Sequence, residues 1–122
     1  MAYTFLGLDH VQLAAPPGAE PEARKYFGDV LGWVEIPKPE HLKRRGGVWF
    51  QCGMHQVHIG VQPDFTPARK AHPAFAVQNL SHLRAHLVAR GLSPIDDEPL
   101  PGAERFYLLD PFGNRLEFLE RR

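Results

Sequence analysis

Hydrophobic and polar residues recur with different periods along the chain, and these periods predict its strands and helices. A period of two predicts a strand over residues 4–13. Apolar residues then recur every three or four positions over residues 20–31, which predicts a helix that ends at Gly32. A short extended piece at residues 33–36 and a polar, mobile loop at residues 38–47 are expected to follow.

The middle of the chain has a pattern that is typical of a β-hairpin. Residues 48–52 and 55–61 read as its two strands, and Gly53 begins the two-residue turn between them. This register places Trp49 directly opposite His58. Both side chains are therefore expected on one face of the hairpin.

The pattern restarts after a proline-containing linker. It predicts a helix at residues 80–90 and strands at residues 72–77, 92–95, 104–109 and 115–119. The segment Asp110-Pro-Phe-Gly-Asn114 is predicted to be a turn, and Glu120 is expected at the frayed end of the last strand. The two halves share one order of elements, which predicts an α+β fold of two βαβββ modules, residues 1–62 and 71–122. Each module is expected to curl a mixed sheet into half of a cup, within one domain of 122 residues.

Composition excludes several classes of protein. The chain has 14 basic and 14 acidic residues, so nothing in its charge favours nucleic acid or a membrane surface as a partner. A single cysteine, Cys52, excludes an internal disulfide framework and fits a reducing compartment. The sequence has neither a long apolar run nor a signal-peptide pattern, so a cytoplasmic location is expected.

Four side chains that can bind a metal ion occupy matching positions in the two halves. His10 and His72 lie on the first strand of each half, whereas His58 and Glu117 lie in the middle of each last strand. Alternation puts all four on the face opposite the apolar residues that pack on the helix. Imidazole and carboxylate groups that converge on one cavity are the ligands that a divalent transition metal needs.

Each of these residues also has a purely structural interpretation. Glu117 alone could be the buried partner of Arg105 or Arg115, and His10 alone a hydrogen-bonded core histidine. Their joint occurrence at matching repeat positions favours the metal site. His58 is either a fourth ligand or an acid–base group.

Other candidates lie on the same faces as the proposed ligands. Arg105 and Tyr107 face the cavity by their alternation with the terminal strand, and Tyr107 either orients a substrate oxygen or packs as an ordinary core residue. Trp49 and Gln51 are candidates for the cavity wall, with packing as the alternative.

The repeat also carries four motifs: Leu8-Asp-His-Val-Gln12, Tyr26-Phe-Gly-Asp-Val-Leu-Gly32, Asp110-Pro-Phe-Gly-Asn114 and Leu116-Glu-Phe118. With the βαβββ order, they resemble the glyoxalase/bleomycin-resistance/extradiol-dioxygenase superfamily, also called vicinal oxygen chelate proteins. The resemblance covers nearly the whole chain. It is specific for the fold and carries little information on the substrate.

The resemblance implies roles for particular residues. The family's metal ligands map to His10, His58, His72 and Glu117, and the fosfomycin-modifying members use the equivalents of all of these except His58. In those members a threonine two residues after the first ligand contacts the substrate, and Gln12 stands at that position here. Their tyrosine ten residues before the glutamate corresponds to Tyr107, whereas glyoxalase I lyases have a glutamate base where this chain has His58.

The resemblance further implies a homodimer in which the metal site is shared between subunits or between paired modules. The metal would be a divalent ion (Fe, Mn, Ni or Zn) that chelates two adjacent oxygens of a small-molecule substrate. The reaction would be that of a lyase or isomerase, a thiol transferase or a ring-cleaving dioxygenase. The alternatives are a metal-free protein that sequesters small molecules, as in bleomycin resistance, and a purely structural subunit.

Overall fold

The strands of the chain form two sheets, one in each half of the sequence. The computed structural model describes residues 2–122. Its elements are β1 His10–Ala15, α1 Glu20–Ala23, a π-helix Arg24–Val30, β2 Val34–Ile36, a 3-10 helix Glu40–Arg45, β3 Val48–Cys52, β4 His55–Val61, β5 Ala74–Ala76, α2 Leu80–Ala89, β6 Ala103–Leu109 and β7 Arg115–Arg121. The chain divides into two compact units between Phe65 and Thr66. Within residues 2–122, no helix has the length and apolar character that a membrane crossing requires.

The first unit contains a mixed four-stranded sheet in the order β1-β4-β3-β2. β1 runs parallel to β4, and the other neighbours are antiparallel. The predicted hairpin is confirmed, because Trp49 pairs with His58 and Gln51 with Gln56 in the observed register. Mixed sheets with few helices confirm the α+β class.

The helical segment of the first unit packs its apolar side on this sheet. Phe27 is fully buried, and its ring centroid lies 5.3 Å from that of Trp33 and 5.8 Å from that of Phe50. The segment ends at Gly32 as predicted, since Gly32 adopts a φ of 79° that a side chain would disfavour. The sequence did not predict that the α-helix becomes a π-helix after Ala23.

The predicted strand over residues 4–13 is wrong at both ends, because β1 spans His10–Ala15. Its parallel ladder to β4 begins only at His10, which pairs with Gln56. Residues 2–9 lie outside the described sheets and are solvent-exposed. Apolar residues alternate in this segment as they do in a strand, but a stable strand also needs a neighbouring strand to hydrogen-bond with.

The second unit contains a three-stranded sheet in the order β5-β7-β6. The predicted strand over residues 72–77 is reduced to Ala74–Ala76, because Pro73 has no N–H for the ladder and only accepts a bond from the amide of Glu117. The predicted strand at 92–95 is a single bridge between Ile95 and Tyr107.

The core of the second unit lies between its sheet and α2. The ring of Phe118 lies 5.6 Å from both Phe75 and Phe106, and Leu87 of α2 is fully buried. The expectation that Glu120 is a frayed end is wrong. Its carboxylate accepts hydrogen bonds from the amides of Asn79 and Leu80, at 3.1 and 2.9 Å, and so caps the N-terminus of α2.

A tight turn joins β6 to β7, as predicted. Oδ1 of buried Asp110 accepts hydrogen bonds from the amides of Phe112 and Asn114, and its Oδ2 accepts one from the Asn114 side chain. Burial raises the pKa of the Asp110 carboxyl, although these hydrogen bonds oppose the shift. The turn sets the register in which Tyr107 pairs with Glu117.

Candidate functional site

Three aromatic rings stack on the exposed face of the first sheet. The ring of His58 lies 3.8 Å from that of Trp49, nearly parallel to it, and 4.2 Å from that of His10. The register explains the stack, because both Gln12 and Trp49 pair with His58 from the flanking strands. His10 is two residues before Gln12 and therefore lies on the same face.

The surroundings of His58 favour a neutral imidazole with a lone pair. Burial lowers the pKa of His58, and the nearby His10 lowers it further, so His58 is uncharged at neutral pH. The His58 Nε2 donates to the side-chain oxygen of Gln56 at 2.9 Å, which leaves Nδ1 as an acceptor. Nδ1 of His10 lies 2.8 Å from a carboxylate oxygen of Asp9, an arrangement that orients metal-binding histidines.

The second unit brings a histidine and a carboxylate together. Nε2 of His72 lies 2.9 Å from Oε1 of Glu117, and Nδ1 of His72 lies 2.8 Å from the carbonyl oxygen of Lys70. Only 5% of the Glu117 surface is exposed. Two ligands about 2.0 Å from a tetrahedral metal lie about 3.3 Å apart, so this pair could hold an ion with little movement.

Tyr107 lies beside this pair, between two arginines. Its hydroxyl accepts a hydrogen bond from Arg105 Nη1 at 2.9 Å, and the Arg115 guanidinium lies 3.8 Å from its ring centroid. The same Arg105 nitrogen is 3.6 Å from Glu117 Oε2. Because the Tyr107 oxygen accepts from Arg105, its own hydrogen is available to a substrate oxygen.

The predicted ligands thus lie in two pairs, His10 with His58 and His72 with Glu117. Among residues 2–122, no group of three or more histidine, cysteine, aspartate or glutamate side chains is placed to hold a metal ion. Of the predicted substrate contacts, the Gln51 amide donates to the carbonyl oxygen of Gly53 at 2.9 Å and so belongs to the hairpin turn.

A cavity of about 300 Å³ lies beside the ring stack in the first unit. Residues that line it include Gln12, Lys38, Leu42, Arg45, Trp49 and Gly60. A side chain at position 60 would collide with the Gln12 amide, so the glycine makes room for it.

The sequence pattern predicted a mobile, irregular loop at residues 38–47 and did not single out Lys38 or Arg45 within it. The structure has a 3-10 helix there, Glu40–Arg45. Its end is held by the Glu20 carboxylate, which accepts from the Gly47 amide at 2.7 Å. The Lys-Arg-Arg run in this segment was the one signal that pointed to a charged wall.

Solved structures resemble this chain along its whole length. A glyoxalase family protein from Bacillus anthracis is 51% identical, with a TM-score of 0.96 over 100% of both chains. A lactoylglutathione lyase from Agrobacterium tumefaciens is 18% identical, with a TM-score of 0.76 over 97% of this chain and 96% of its own. The fosfomycin resistance protein FosX from Listeria monocytogenes, in complex with Mn(II) and 1S,2S-dihydroxypropylphosphonic acid, is 15% identical, with a TM-score of 0.79 over 98% and 95%. No family model and no curated protein matches the chain. At these lower identities, the last two structures are similar in fold alone.

Proposed function

Because the chain belongs to the glyoxalase family, we propose that it is a metal-dependent enzyme that acts on a small molecule with two neighbouring oxygens. The observation that carries the proposal is the pair of half-buried His72 and buried Glu117, in which the imidazole Nε2 lies 2.9 Å from a carboxylate oxygen. A buried carboxylate needs a positive or hydrogen-bonding partner, and a cation bound beside the His72 imidazole would supply positive charge to Glu117.

The ligands proposed for the metal are His10, His72 and Glu117, with His58 as a fourth ligand or an acid–base group. Imidazole and carboxylate donors suit Fe, Mn, Ni or Zn, and three of them leave coordination positions open for substrate. The likeness in fold to a protein that holds Mn(II) and a vicinal diol supports a divalent ion and such a substrate.

When bound, the cation would polarise two adjacent substrate oxygens and stabilise negative charge that develops on them. The protein's own contribution would be proton transfer and orientation. His58 is neutral at neutral pH and can accept a proton through Nδ1. Tyr107 can donate a hydrogen bond to a substrate oxygen, because Arg105 occupies the acceptor side of its hydroxyl.

The residues proposed to contact the substrate are Gln12, Trp49 and Arg105. Trp49 offers an apolar ring face, and the exposed Gln12 amide offers a donor and an acceptor. These residues would bind and orient the substrate for a lyase, isomerase, thiol-transferase or dioxygenase reaction.

We further propose that the chain is a homodimer whose metal site is shared between subunits or paired modules. Each unit supplies two donors, and residues 2–122 contain no group of three. The N-terminal segment supports the dimer, since Phe5 and Leu6 are 88% and 97% exposed. Large apolar side chains that are exposed in series are typical of a surface that a partner covers.

Metal analysis of protein purified without chelators tests the proposal. The wild type should contain about one divalent ion per chain, and the substitutions His10→Ala and Glu117→Ala should each abolish it. His82→Ala and Glu104→Ala are matched controls, because both side chains are exposed and lie outside the proposed site. The proposal would be wrong if the wild type contained less than one ion per chain and neither His10→Ala nor Glu117→Ala changed that content.

One observation favours a second candidate, a metal-free binding protein of the bleomycin-resistance type. Glu117 already has protein partners, since His72 lies at 2.9 Å and Arg105 at 3.6 Å. The cavity beside Trp49 would then hold the ligand by stacking and polar contacts. A small molecule that raises the Tm equally in EDTA and in metal would favour this candidate over the enzyme.

A further inference from the structure

We propose that the cavity beside Trp49 binds an oxyanion, a carboxylate or phosphonate group of the substrate, through Lys38, Arg45 and the amide of Gln12. The inference rests on the proposed function, because it names the chemical class of the substrate of the same site. It is carried by the charge, the shape and the position of the cavity.

The charged side chains that line the cavity are all cationic. Lys38 and Arg45 are in its lining, and no carboxylate is. Within the described residues Arg45 has no ion pair, whereas Lys43 of the same helix pairs with Glu40 at 2.8 Å. An unpaired guanidinium presents a planar set of N–H donors that matches carboxylate and phosphonate oxygens.

A second cavity, in the other unit, shows what a neutral lining looks like. It has a similar volume of about 310 Å³, but each of its three arginines lies beside a carboxylate, Arg105 at 3.6 Å from Glu117. Arg84 forms an ion pair with Asp96, and Arg122 lies 3.6 Å from Glu104. Those cations are already neutralised, so the cavity beside Trp49 is the better oxyanion site.

The walls of the proposed site are held in place by the protein. Lys38 donates to the carbonyl oxygen of Gly46, and the amide of Gly47 donates to Glu20. This amide holds the pKa of Glu20 below its usual value, with smaller contributions from Arg24 and Lys38. Glu20 therefore offsets part of the charge of Lys38, and Arg45 remains the main cation for a ligand.

The cavity also lies at the right place for a substrate of the candidate metal site. Gln12 is two residues beyond His10 on the same strand face, a step of about 6.6 Å. Trp49 both lines the cavity and stacks on His58. A substrate that contacts His10 and His58 with one end could therefore extend past Trp49 into the cavity that Arg45 lines.

An NMR titration of the full-length protein, as purified, tests the inference. The indole N–H signals of Trp49 and Trp33 are assigned with Trp49→Phe, and methylphosphonate, acetate and neutral acetamide are added in turn. The signal of Trp49 should shift saturably with at least one anion, whereas that of Trp33, which stacks on Phe27 outside the cavity, should not. The two anions distinguish a phosphonate site from a carboxylate site.

Two neighbouring arginines provide the matched variants. Arg45→Gln should weaken anion binding about tenfold, and Arg45→Lys, which restores the charge but not the planar donor set, should recover only part of the loss. Arg44→Gln removes the same charge from an exposed residue outside the lining and should change binding by less than about twofold. Equal losses in Arg44→Gln and Arg45→Gln, equal shifts with acetamide, or no shift of Trp49 would overturn the inference.

The titration is repeated in EDTA, and metal binding is measured in Arg45→Gln. Anion binding that persists while the wild type binds no metal would leave the oxyanion site standing and overturn the metal-dependent function. Intact metal binding in a protein whose Trp49 signal does not respond to anions would overturn the oxyanion site alone.

Discussion

His72 and Glu117 are 45 positions apart in the sequence, yet Nε2 of the histidine lies 2.9 Å from Oε1 of the glutamate. The contact crosses from the residues before β5 to the middle of β7, where Ala74 pairs with Glu117. Because the Glu117 carboxylate is buried, the groups that contact it determine whether it serves as a metal ligand or as an ion-pair partner. Arg105 at 3.6 Å offers a weaker, longer interaction than the imidazole.

Replacing Glu117 by glutamine tests the role of its charge at nearly constant shape. We expect the affinity for Mn(II) or Zn(II) to fall about 100-fold, because a neutral amide is a poor ligand for a divalent cation. Competition with a chromophoric chelator measures the change. Glu104→Gln is the control, because Glu104 is an exposed carboxylate on β6. An equal metal affinity in Glu117→Gln and the wild type would argue against the ligand role of Glu117.

Replacing Asp110 by alanine should lower the free energy of unfolding by about 2–4 kcal/mol. The substitution leaves the amides of Phe112 and Asn114 without their acceptor in a turn whose Asp110 and Asn114 are buried. Urea unfolding measures the loss. Asp64→Ala, at an exposed aspartate in the first unit, should cost less than about 0.5 kcal/mol, and an equally small effect at Asp110 would show that the turn forms without its carboxylate.

The Glu120 cap on α2 should make stability depend on pH in the acid range. The Leu80 and Asn79 amides lower the pKa of Glu120, so the folded protein favours the ionised form more than the unfolded chain does. This stabilisation is present above the unfolded-state pKa of about 4.3 and is lost as the pH falls through the folded-state value. The urea midpoints of the wild type and Glu120→Gln should therefore differ at neutral pH and converge in acid. Equal midpoints at neutral pH would contradict the cap.

The N-terminal segment should control the oligomeric state. We expect the double substitution of Phe5 and Leu6 by serine to shift the protein from dimer to monomer in sedimentation velocity, because both exposed side chains would leave an apolar contact. If the metal site is shared between subunits, the monomeric variant should also bind metal more weakly than the wild type. Met54→Ser, 94% exposed at the hairpin turn, is the control. A dimer that survives the double substitution would rule out this segment as the contact.

Much of the sheet structure could be predicted from local pattern. Alternation and a glycine-first turn were enough to pair Trp49 with His58, because a hairpin register depends only on nearby residues. The Asp110 turn was predictable for the same reason. Matching positions in the two halves also put His72 and Glu117, with His10 and His58, among the four candidate metal ligands, since a repeated fold places equivalent strands alike.

Features that depend on distant contacts could not be predicted. The true start of β1 at His10 depends on where β4 provides a partner, and apolar alternation carries no such information. The cap at Glu120 depends on the approach of α2 to β7, which local sequence does not encode. The 3-10 helix that carries Arg45 likewise depends on the bond between Glu20 and Gly47, across 27 residues.

The proposed metal centre is best tested by anomalous scattering from crystals of the full chain grown with Mn(II). We expect one strong peak within coordination distance of the side chains of His10, His72 and Glu117, and the same data show whether His58 is a fourth ligand. A peak bound to other side chains, or no peak at these three, would show that the metal centre does not exist as proposed.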